Sequence, residues 1–449
     1  MGGGLLQLVA YGAQDAYLTG NPHITFWKIL YKRHTNFAIE AFRVNFTGAP
    51  VYGQRLVATV NRNADLVWKT YVEITLPETR ASKTGKTYDV TWTGGSAARL
   101  GYQMLQQIEV EIGGQIIDRH YGEWLYLWET LTAGVDEAYK LFDIAGARGT
   151  LDGAASAIDD CNGRNKVLYV PLQFWFNRNP GLALPLIALQ YHEVRFNITL
   201  SDATNLVSKG SWANIAQAAS NLPQLRDMAL YIDYIYLDVD ERRRFAQESH
   251  EYLIEQLQFE GQQQITTSSG RLDLTLNHPV KELIWVFQDE RVLDCGNAIT
   301  NSTGYTDPFM YSDIVDRARL QINGQDRFDE RYGDYFWKVQ PYQHHTSSGS
   351  SIAVNQTQSF ATTNPYTSQT FAGNPINVYS FALQPEEHQP SGTCNFSRID
   401  NATLVFDSVT SGAAGTFPSK AFPYNFRIYA VNYNIFRIMS GMGGLAYSN

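Results

Sequence analysis

The feature that most constrains this chain is a sequence pattern that occurs twice. Residues 110–115 read VEIGGQ, and residues 320–325 read LQINGQ at a separation of 210 positions. Residues 121–124 (YGEW) return in the same way at residues 332–335 (YGDY), 211 positions later. Agreement at two sites with nearly the same spacing indicates that one structural unit is duplicated in the chain.

Three further pairs follow in the same order at similar spacing. They are FTG at 46–48 with FEG at 259–261, LVW at 66–68 with LIW at 283–285, and Tyr169 with Tyr379. The duplication therefore spans nearly the whole chain, and its copies meet in the charged segment at residues 238–250. We predict an N-terminal arm at residues 1–36, a first domain at 37–240 and a second domain at 241–449.

Both copies are rich in strand patterns, in which β-branched and aromatic residues partly alternate with polar ones. Eight strands are predicted in the first copy, at residues 38–46, 54–61, 65–76, 106–112, 115–119, 165–176, 190–200 and 227–238. Eight partners are predicted in the second copy, at residues 252–260, 270–276, 280–288, 317–322, 325–329, 376–384, 398–407 and 424–437. We therefore predict an all-β chain of two tandem antiparallel β-sandwiches. A jelly roll is the favoured topology, although another Greek-key sandwich has the same pattern.

Both copies predict a tight β-hairpin at the best-matched position. Gly113 and Gly114 of the first copy correspond to Asn323 and Gly324 of the second. These residue types tolerate positive φ at two successive positions, which a type I′ turn requires. We predict equivalent hairpins in the two domains.

The segments around these hairpins predict short helices and long loops. Residues 121–130 and 332–339 carry apolar side chains at helical spacing, so a short helix is expected after each hairpin. Long polar stretches predict loops at residues 78–99, 145–165, 288–316 and 344–375. We expect the last two to face solvent, because long polar insertions cannot be buried without leaving backbone groups unsatisfied.

No group of residues indicates a catalytic or cofactor site. GxSxG, HExxH and P-loop motifs do not occur, and the glycines at 441–444 lack the βαβ context of a dinucleotide site. His344 and His345 have no Asp, Glu or Cys nearby, so we interpret them as loop residues rather than metal ligands. His192 and His250, each followed by a glutamate, are interpreted as structural polar groups. We predict no enzymatic activity, catalytic residue, cofactor or metal.

Charge and composition favour protein partners over nucleic acid. The formal net charge is −9, so the field of the molecule repels phosphate, and we expect no direct contact with nucleic acid. Three arginines lie in the segment at 238–250, but the acidic residues beside them indicate a solvated or salt-bridged linker. Charged residues make up 18% of the chain and aromatic residues 13%, a composition that suits extensive burial and large interfaces.

The cysteines and the N-terminus indicate the cellular setting. Cys161, Cys295 and Cys394 are far apart and form no CxxC pair, which disfavours a disulfide framework and favours synthesis in a reducing compartment. The sequence shows neither a signal peptide nor a window apolar and long enough to span a membrane. Six Asn-x-Ser/Thr sequons occur, of which Asn301 and Asn355 lie in long polar loops and are the candidates for glycosylation.

The first 36 residues lie outside the duplicated pattern. Residues 24–34 are both aromatic and basic, with Lys28, Lys32 and Arg33 at near-helical spacing. Such a segment suits an anionic membrane surface or a neighbouring subunit. The alternative is an arm that packs beneath its own domain.

Long blocks spread from end to end closely resemble the major capsid protein of large icosahedral nucleocytoplasmic DNA viruses, especially the algal-virus branch. The blocks are LVAYGAQDAYLTGNP at 8–22, PGLALPLIALQYHE at 180–193, HEYLIEQLQF at 250–259, PSGTCNFSRIDNAT at 390–403 and RIMSGMGGLAY at 437–447. The resemblance implies a double jelly-roll, made late in infection, that homotrimerises into pseudo-hexagonal capsomers of the outer icosahedral shell.

The resemblance also implies the partners and the location. These are neighbouring capsomers, minor capsid proteins and, through the N-terminal arm, an internal viral membrane, in a virion assembled in the host cytoplasm. Two other classes remain open: a carbohydrate-binding β-sandwich protein and a glycoside hydrolase of jelly-roll type. The hydrolase would require two carboxylates in an aromatic cleft, and no sequence feature nominates such a pair.

Overall fold

The computed structural model describes residues 3–24, 26, 31–77, 91–92, 100–146, 167–208, 215–290, 309, 311–347, 375–408 and 423–447. Asn301, Asn355 and most of the four predicted loops lie outside these residues. The chain divides into two compact units, Met1–Phe37 and Ala38–Asn449. The first unit contains helices α1 (Gly3–Val9) and α2 (Asp15–Thr19), and its apolar side chains, including Leu8, Leu18 and Phe26, are exposed.

Eight principal strands in the first half of the chain form two sheets. They are β1 (Phe37–Asn45), β2 (Arg55–Thr59), β3 (Leu66–Thr75), β4 (Leu105–Ile112), β5 (Gln115–His120), β6 (Val167–Pro171), β7 (Val194–Leu200) and β8 (Asp227–Leu237). Sheet I has the order β1-β8-β3-β6, and sheet II has the order β2-β7-β4-β5.

The second half repeats this arrangement. Its principal strands are β9 (His250–Ile265), β10 (Ser269–Leu274), β11 (Pro279–Asp289), β12 (Val315–Ile322), β13 (Gln325–Asp326), β14 (Asn377–Ser380), β15 (Ala402–Ser408) and β16 (Tyr424–Met439). Sheet III has the order β9-β16-β11-β14, and sheet IV has the order β10-β15-β12-β13.

The strand order defines the topology of both halves. Adding eight to every strand number of sheets I and II gives sheets III and IV, so the two halves are connected identically. In each half the first, eighth, third and sixth strands form one sheet and the second, seventh, fourth and fifth form the other. This is the jelly-roll order, and it decides against another Greek-key sandwich. The double jelly-roll predicted from the duplication is confirmed.

Each sandwich closes around apolar side chains from both of its sheets. The first core contains Val72, Ile232, Ile108 and Ile198. The second core contains Leu283, Phe426, Leu320 and Leu404. These residues follow the period of two that puts alternate side chains on one face of a strand.

Short helices and strands connect the sheets. Further helices are α3 (Leu100–Met104), α4 (Gly122–Thr132), α5 (Val135–Ile144), α6 (Trp175–Arg178), α7 (Ala203–Leu206), α8 (Ile215–Ser220), α9 (Val239–Gln247) and α10 (Gln340–His344), with a π-helix at Tyr335–Val339 and 3-10 turns at Pro180–Leu182 and Phe396–Arg398. Short strands lie at Thr91–Trp92, Leu184–Pro185, Val207–Ser208, Arg331–Tyr332, Cys394–Asn395 and Met442–Leu445. The helix predicted after each hairpin is confirmed by α4 and by the helical segment at residues 335–344.

Several predicted strands are too long. The strand predicted at 165–176 ends at Pro171, because the Asn177 side chain accepts a hydrogen bond from the Phe174 N–H and closes a turn. The strand predicted at 190–200 begins only at Val194, because the Tyr191 N–H bonds to the Gly441 carbonyl instead of to sheet II.

Other strand predictions differ at their ends or miss a helix. The strands predicted at 376–384 and 325–329 shorten to β14 and β13, and the segment predicted as a linker at 238–250 forms α9 and the start of β9. Asp238 accepts a hydrogen bond from the Val239 N–H at the start of α9. Arg242 of α9 lies 2.7 Å from Asp65, so the linker is salt-bridged as predicted.

Both hairpin turns have the positive φ angles that their residue types predict. The φ angles are 59° and 85° at Gly113 and Gly114, and 49° and 78° at Asn323 and Gly324. Positive φ at both central positions is typical of a type I′ turn. The Asn323 side chain accepts hydrogen bonds from the backbone N–H groups of residues 400 and 401, which helps a residue with a Cβ to hold this conformation.

Candidate assembly surfaces and buried charges between the sandwiches

The centre of sheet III is buried on both faces. Trp285, Phe287 and Ile428 belong to the core of the second sandwich. The alternate residues Val286 and Tyr429 belong instead to the core that extends from the first sandwich. The first sandwich therefore covers the outer face of sheet III within one chain.

Two edge strands also meet at this junction. β5 is an edge of sheet II, and β9 is an edge of sheet III. The Gln256 side-chain amide of β9 donates to the Ile117 carbonyl of β5, and the Leu257 N–H donates to Asp118 at 3.1 Å. Each strand thus gives the other partners for polar groups that an isolated edge leaves open.

Helix α4 carries the central polar contact of the junction. The Glu123 carboxylate lies 2.6 Å from Arg427 Nε and accepts a 2.7 Å hydrogen bond from Arg427 Nη2 on β16. The hydroxyls of Tyr429 and Tyr311 donate to the same carboxylate at 2.5 and 3.0 Å. Glu123 is therefore held by three groups from the second half of the chain, and Trp124 beside it is fully buried against Tyr429.

The electrostatics of this cluster favour cohesion over proton transfer. Burial and the Glu123 charge hold the pKa of Tyr429 and of Tyr311 well above the usual range, so both phenols stay protonated and donate. Burial opposes the charge of Arg427, but Glu123 raises its pKa. An adjacent cleft of about 510 Å³ is lined by Glu123, Arg427, Tyr429 and uncharged side chains such as Gln107 and Asn205. Glu123 is engaged by Arg427, so none of the described residues that line the cleft is a spare carboxylate base.

A second buried cluster surrounds Glu255 on β9. Its carboxylate lies 2.8 Å from Arg178 of α6 and 2.8 Å from Lys281 of β11, and 3.6 Å from His388. Burial alone would raise the pKa of Glu255, but Lys281, His388 and Arg178 lower it to about 2. Because Arg178 belongs to the first half, this cluster also joins the two sandwiches.

The buried Lys281 depends on an irregularity of β11. The pairing of β11 with β16 shifts register between Val280 and Glu282, so Lys281 occupies a β-bulge. Its carbonyl accepts a 2.8 Å hydrogen bond from the Phe381 N–H. Lys281 contacts Glu255, while the neighbouring Glu282 contacts a different group, and both side chains are fully buried.

The histidine pair at 344–345 is a structural feature of the second sandwich. His345 Nε2 lies 3.1 Å from Glu282, and His345 Nδ1 lies 3.0 Å from Glu386. Burial alone would lower the pKa of His345, but Glu282 and Glu386 raise it to about 9. The interpretation that these histidines lie in a loop without acidic neighbours was therefore wrong for His345. Its partners are 63 and 41 positions away in the sequence, where no local pattern connects them.

The other residues singled out from the sequence have local structural roles. His192 Nδ1 lies 3.0 Å from the Gly443 carbonyl, and His250 Nε2 lies 2.8 Å from the Phe245 carbonyl. The glycine-rich segment at 441–444 forms a hairpin with the end of β16. Among the residues that the structure describes, no group of three or more His, Cys, Asp or Glu side chains is arranged to hold a metal ion. None of the helices in the described part of the chain has the length and apolar character needed to cross a membrane.

Two surfaces of the second unit are exposed, although the equivalent surfaces in the other half of the chain are buried. The outer face of sheet I is solvent-accessible around Tyr71, which stacks on Tyr231 at 5.2 Å and packs against Tyr169. Its end near Leu66 and Ile235 is buried with Ala183. The helical segment at residues 335–344 exposes Val339 and Tyr342. Exposed aromatic and apolar groups of this kind mark interaction surfaces more often than single exposed residues do.

Together, the fold and these sites define a structural protein of the double jelly-roll class, in which buried charges join two sandwiches. Comparison with known proteins agrees with this class. The family model described as "Major capsid protein N-terminus" matches residues 25–238, and the model described as "Large eukaryotic DNA virus major capsid protein" matches residues 241–367 and 355–444.

Relatives and solved structures are similar over the whole chain. The major capsid proteins of Pyramimonas orientalis virus and Phaeocystis pouchetii virus are 46% and 41% identical, with full coverage of both chains in each case. The solved PBCV-1 virus capsid contains a chain that is 36% identical with a TM-score of 0.73, and the match covers 95% of this chain and 100% of that one.

The chain belongs to the family of large eukaryotic DNA virus major capsid proteins. The family predicted from the sequence blocks is confirmed. The chain is a structural component of a virion and not an enzyme, which replaces the alternatives of a glycoside hydrolase and a carbohydrate-binding protein.

Proposed function

We propose that the chain forms a homotrimer that serves as a pseudo-hexagonal capsomer of an outer icosahedral shell. The observation that carries this proposal is the identical strand order of the two sandwiches in one chain. Three such chains around a threefold axis present six similar outlines. A closed trimer can then occupy a lattice position with six neighbours.

The same proposal includes the limits of the two domains and the partners of the capsomer. The first domain comprises residues 37–240 and the second 241–449, which is supported by the division of the principal strands between sheets I–II and III–IV. The partners are neighbouring capsomers and minor capsid proteins, and assembly takes place in the host cytoplasm. The hairpins at Gly113-Gly114 and Asn323-Gly324 are equivalent positions of the two domains.

The N-terminal unit is proposed to act in assembly, at neighbouring subunits or the internal viral membrane. Its exposed apolar side chains support this role, because Leu8, Leu18 and Phe26 are each more than 80% exposed. The basic residues Lys32 and Arg33 favour an anionic surface.

The mass in solution tests the trimer. Light scattering of the purified chain at micromolar concentration should give three times the chain mass of 50.6 kDa, and negative-stain images should show hexagonal outlines. A chain that stays monomeric under these conditions contradicts the proposal.

Deletion of residues 2–25 tests the role of the arm. The truncated chain should keep β-rich circular dichroism and its thermal melting, yet trimerise weakly or fail to form shells. Unfolding of the truncated chain would place the arm in a domain core, and normal shells would exclude an assembly role.

A further inference from the structure

We propose that the helical segment at residues 333–344, the docking helix, packs on the outer face of sheet I of a second copy of this chain. This inference rests on the proposed trimer and names the surfaces that build it. We call the outer face of sheet I the open face. A contact that the chain already makes within itself supports this choice of partner.

The intrachain contact is the template. Helix α4 of the first sandwich lies against sheet III of the second, with Glu123 bound to Arg427 and Trp124 packed on Tyr429 of β16. By strand order, sheet III of the second sandwich corresponds to sheet I of the first. By position after the hairpin, the docking helix corresponds to α4. Sheet III and α4 cover each other within the chain. Their counterparts, sheet I and the docking helix, are both exposed.

Two glycines establish that α4 and the docking helix are equivalent. A Cβ on Gly122 would lie 1.9 Å from the Tyr102 carbonyl oxygen and 2.4 Å from that of Leu105, the first residue of β4. A Cβ on Gly333 would lie 2.1 Å from the carbonyl oxygen of Val315, the first residue of β12. Each helical segment therefore begins with a glycine pressed against the same place in its own sandwich.

Matched positions of the two helices have opposite exposure. Leu127, Trp128 and Leu131 of α4 are buried against the second sandwich or the shared core. The positions 211 residues later hold Lys338, Val339 and Tyr342, whose exposed fractions are 50%, 38% and 80%. The docking helix thus presents an apolar and aromatic side that its counterpart buries.

The open face has the complementary character. Lys69, Tyr71 and Glu73 of β3 lie beside Tyr231 and Asp233 of β8 on the outward side of sheet I, and all five are exposed or half-buried. Tyr71 and Tyr231 stack on each other with an interplanar angle of 3° and give this side of the sheet a half-buried aromatic pair. In the centre of sheet III the outward residues Val286 and Tyr429 are almost fully buried by the first sandwich.

Charge complementarity favours the docking helix as the occupant. Within the chain, acidic Glu123 of α4 meets basic Arg427 of sheet III. The matched residue of the docking helix is Asp334, and the open face offers Lys69. In the single chain Lys338 lies 2.8 Å from Asp334. In the proposed contact it can approach Asp233 on the open face of the second copy. Since the docking helix belongs to the other sandwich of the same chain, the open face must be covered by a neighbour, and three chains close the ring.

A charge reversal tests the contact. Lys338→Glu should raise the protein concentration at which half of the chains are trimeric by about tenfold, because it places like charges against Asp233. Arg271→Glu, the same charge change on an exposed strand of sheet IV, should leave it unchanged. Adding Asp233→Lys to Lys338→Glu should restore most of the lost association. Circular dichroism of each variant verifies that the chain remains folded.

Cross-linking tests the same contact without relying on charge. A chain carrying Tyr231→Cys and Val339→Cys, oxidised with copper phenanthroline, should form covalent dimers and trimers on non-reducing gels. Either single substitution, or Val339→Cys combined with Arg271→Cys, should remain mainly as single chains.

The outcomes separate this inference from the trimer itself. A wild-type trimer that tolerates Lys338→Glu and gives no specific cross-link overturns the docking surfaces while the trimer stands. A wild-type chain that is monomeric in light scattering overturns both. Weaker association of Lys338→Glu with rescue by Asp233→Lys supports the proposed contact.

Discussion

Glu123 and Asp334 occupy the same position of the repeat but have different surroundings. Glu123 is enclosed by Arg427, Tyr311 and Tyr429 at the junction of the sandwiches. Asp334 is exposed, and among the residues that the structure describes its ion pair is with Lys338 of its own helix. The comparison shows that the repeat fixes where a carboxylate lies, whereas the covering of the site decides how much that carboxylate contributes to stability.

Isosteric neutralisation of the two carboxylates should give the largest difference. Glu123→Gln leaves Arg427 buried without a counter-charge, so we expect the free energy of unfolding to fall by about 3–5 kcal/mol. Asp334→Asn should cost the single chain less than about 1 kcal/mol, because the Asp334–Lys338 ion pair is exposed there. Urea unfolding at one fixed protein concentration measures both. Equal losses would mean that the junction does not stabilise the chain.

Acid should weaken the junction through Glu255. Its pKa is lowered from 4.5 to about 2, so its stabilisation is complete above pH 4.5 and is lost as the pH falls towards 2. The loss is on the order of 3 kcal/mol. Thermal melting from pH 6 to pH 2 should show this decline, and Glu255→Gln should be less stable at pH 6 but flatter in acid. If the melting temperature of Glu255→Gln fell with pH as steeply as that of the wild type, Glu255 would not be the source of the acid sensitivity.

Alkali should weaken the second sandwich through His345. Its pKa is raised from 6.5 to about 9, so its stabilisation is complete below pH 6.5 and is lost as the pH rises through 9. The expected loss is again on the order of 3 kcal/mol. Melting temperatures between pH 6 and pH 10 should fall for the wild type and change less for His345→Gln. The junction and the second sandwich are thus predicted to fail at opposite ends of the pH range.

The hairpin turns should show a smaller effect than the buried charges and the closest similarity between halves. A Cβ at Gly114 or Gly324 would meet no atom within 4 Å, so valine there adds only the strain of positive φ. Each of Gly114→Val and Gly324→Val should cost about 1–3 kcal/mol. Thermal melting and particle counting measure the cost. If both variants kept wild-type melting and assembly, the proposed equivalence of the turns would lose its physical basis.

The sequence predicted the repeated framework well because its signals are local. Turn residues and strand alternation are signals that can be recognised within a few positions. Because the same signals recur about 210 residues later, they identified the two sandwiches. Strand ends were less predictable, because Asn177 closes a turn inside an apolar run. Helix α9 was not predicted, because residues 238–250 were interpreted from their charge alone.

The buried charges could not be predicted, because their partners meet only in the folded chain. Glu123 and Arg427 are 304 positions apart, and each looks like an ordinary surface charge in the sequence. The same holds for Glu255, whose partners Arg178 and Lys281 lie on different elements. Only the three-dimensional fold distinguishes them from the exposed Asp334.

The meeting of β5 and β9 has a consequence for the order of synthesis. The ribosome completes β5 more than a hundred residues before β9, so a nascent first sandwich displays an open strand edge and the uncovered face of α4. In that interval the Ile117 carbonyl lacks the Gln256 amide that later bonds to it. Crowded nascent chains in this state are prone to pair with one another. The junction that holds the finished molecule together is therefore also a surface prone to wrong pairing while the chain is being made.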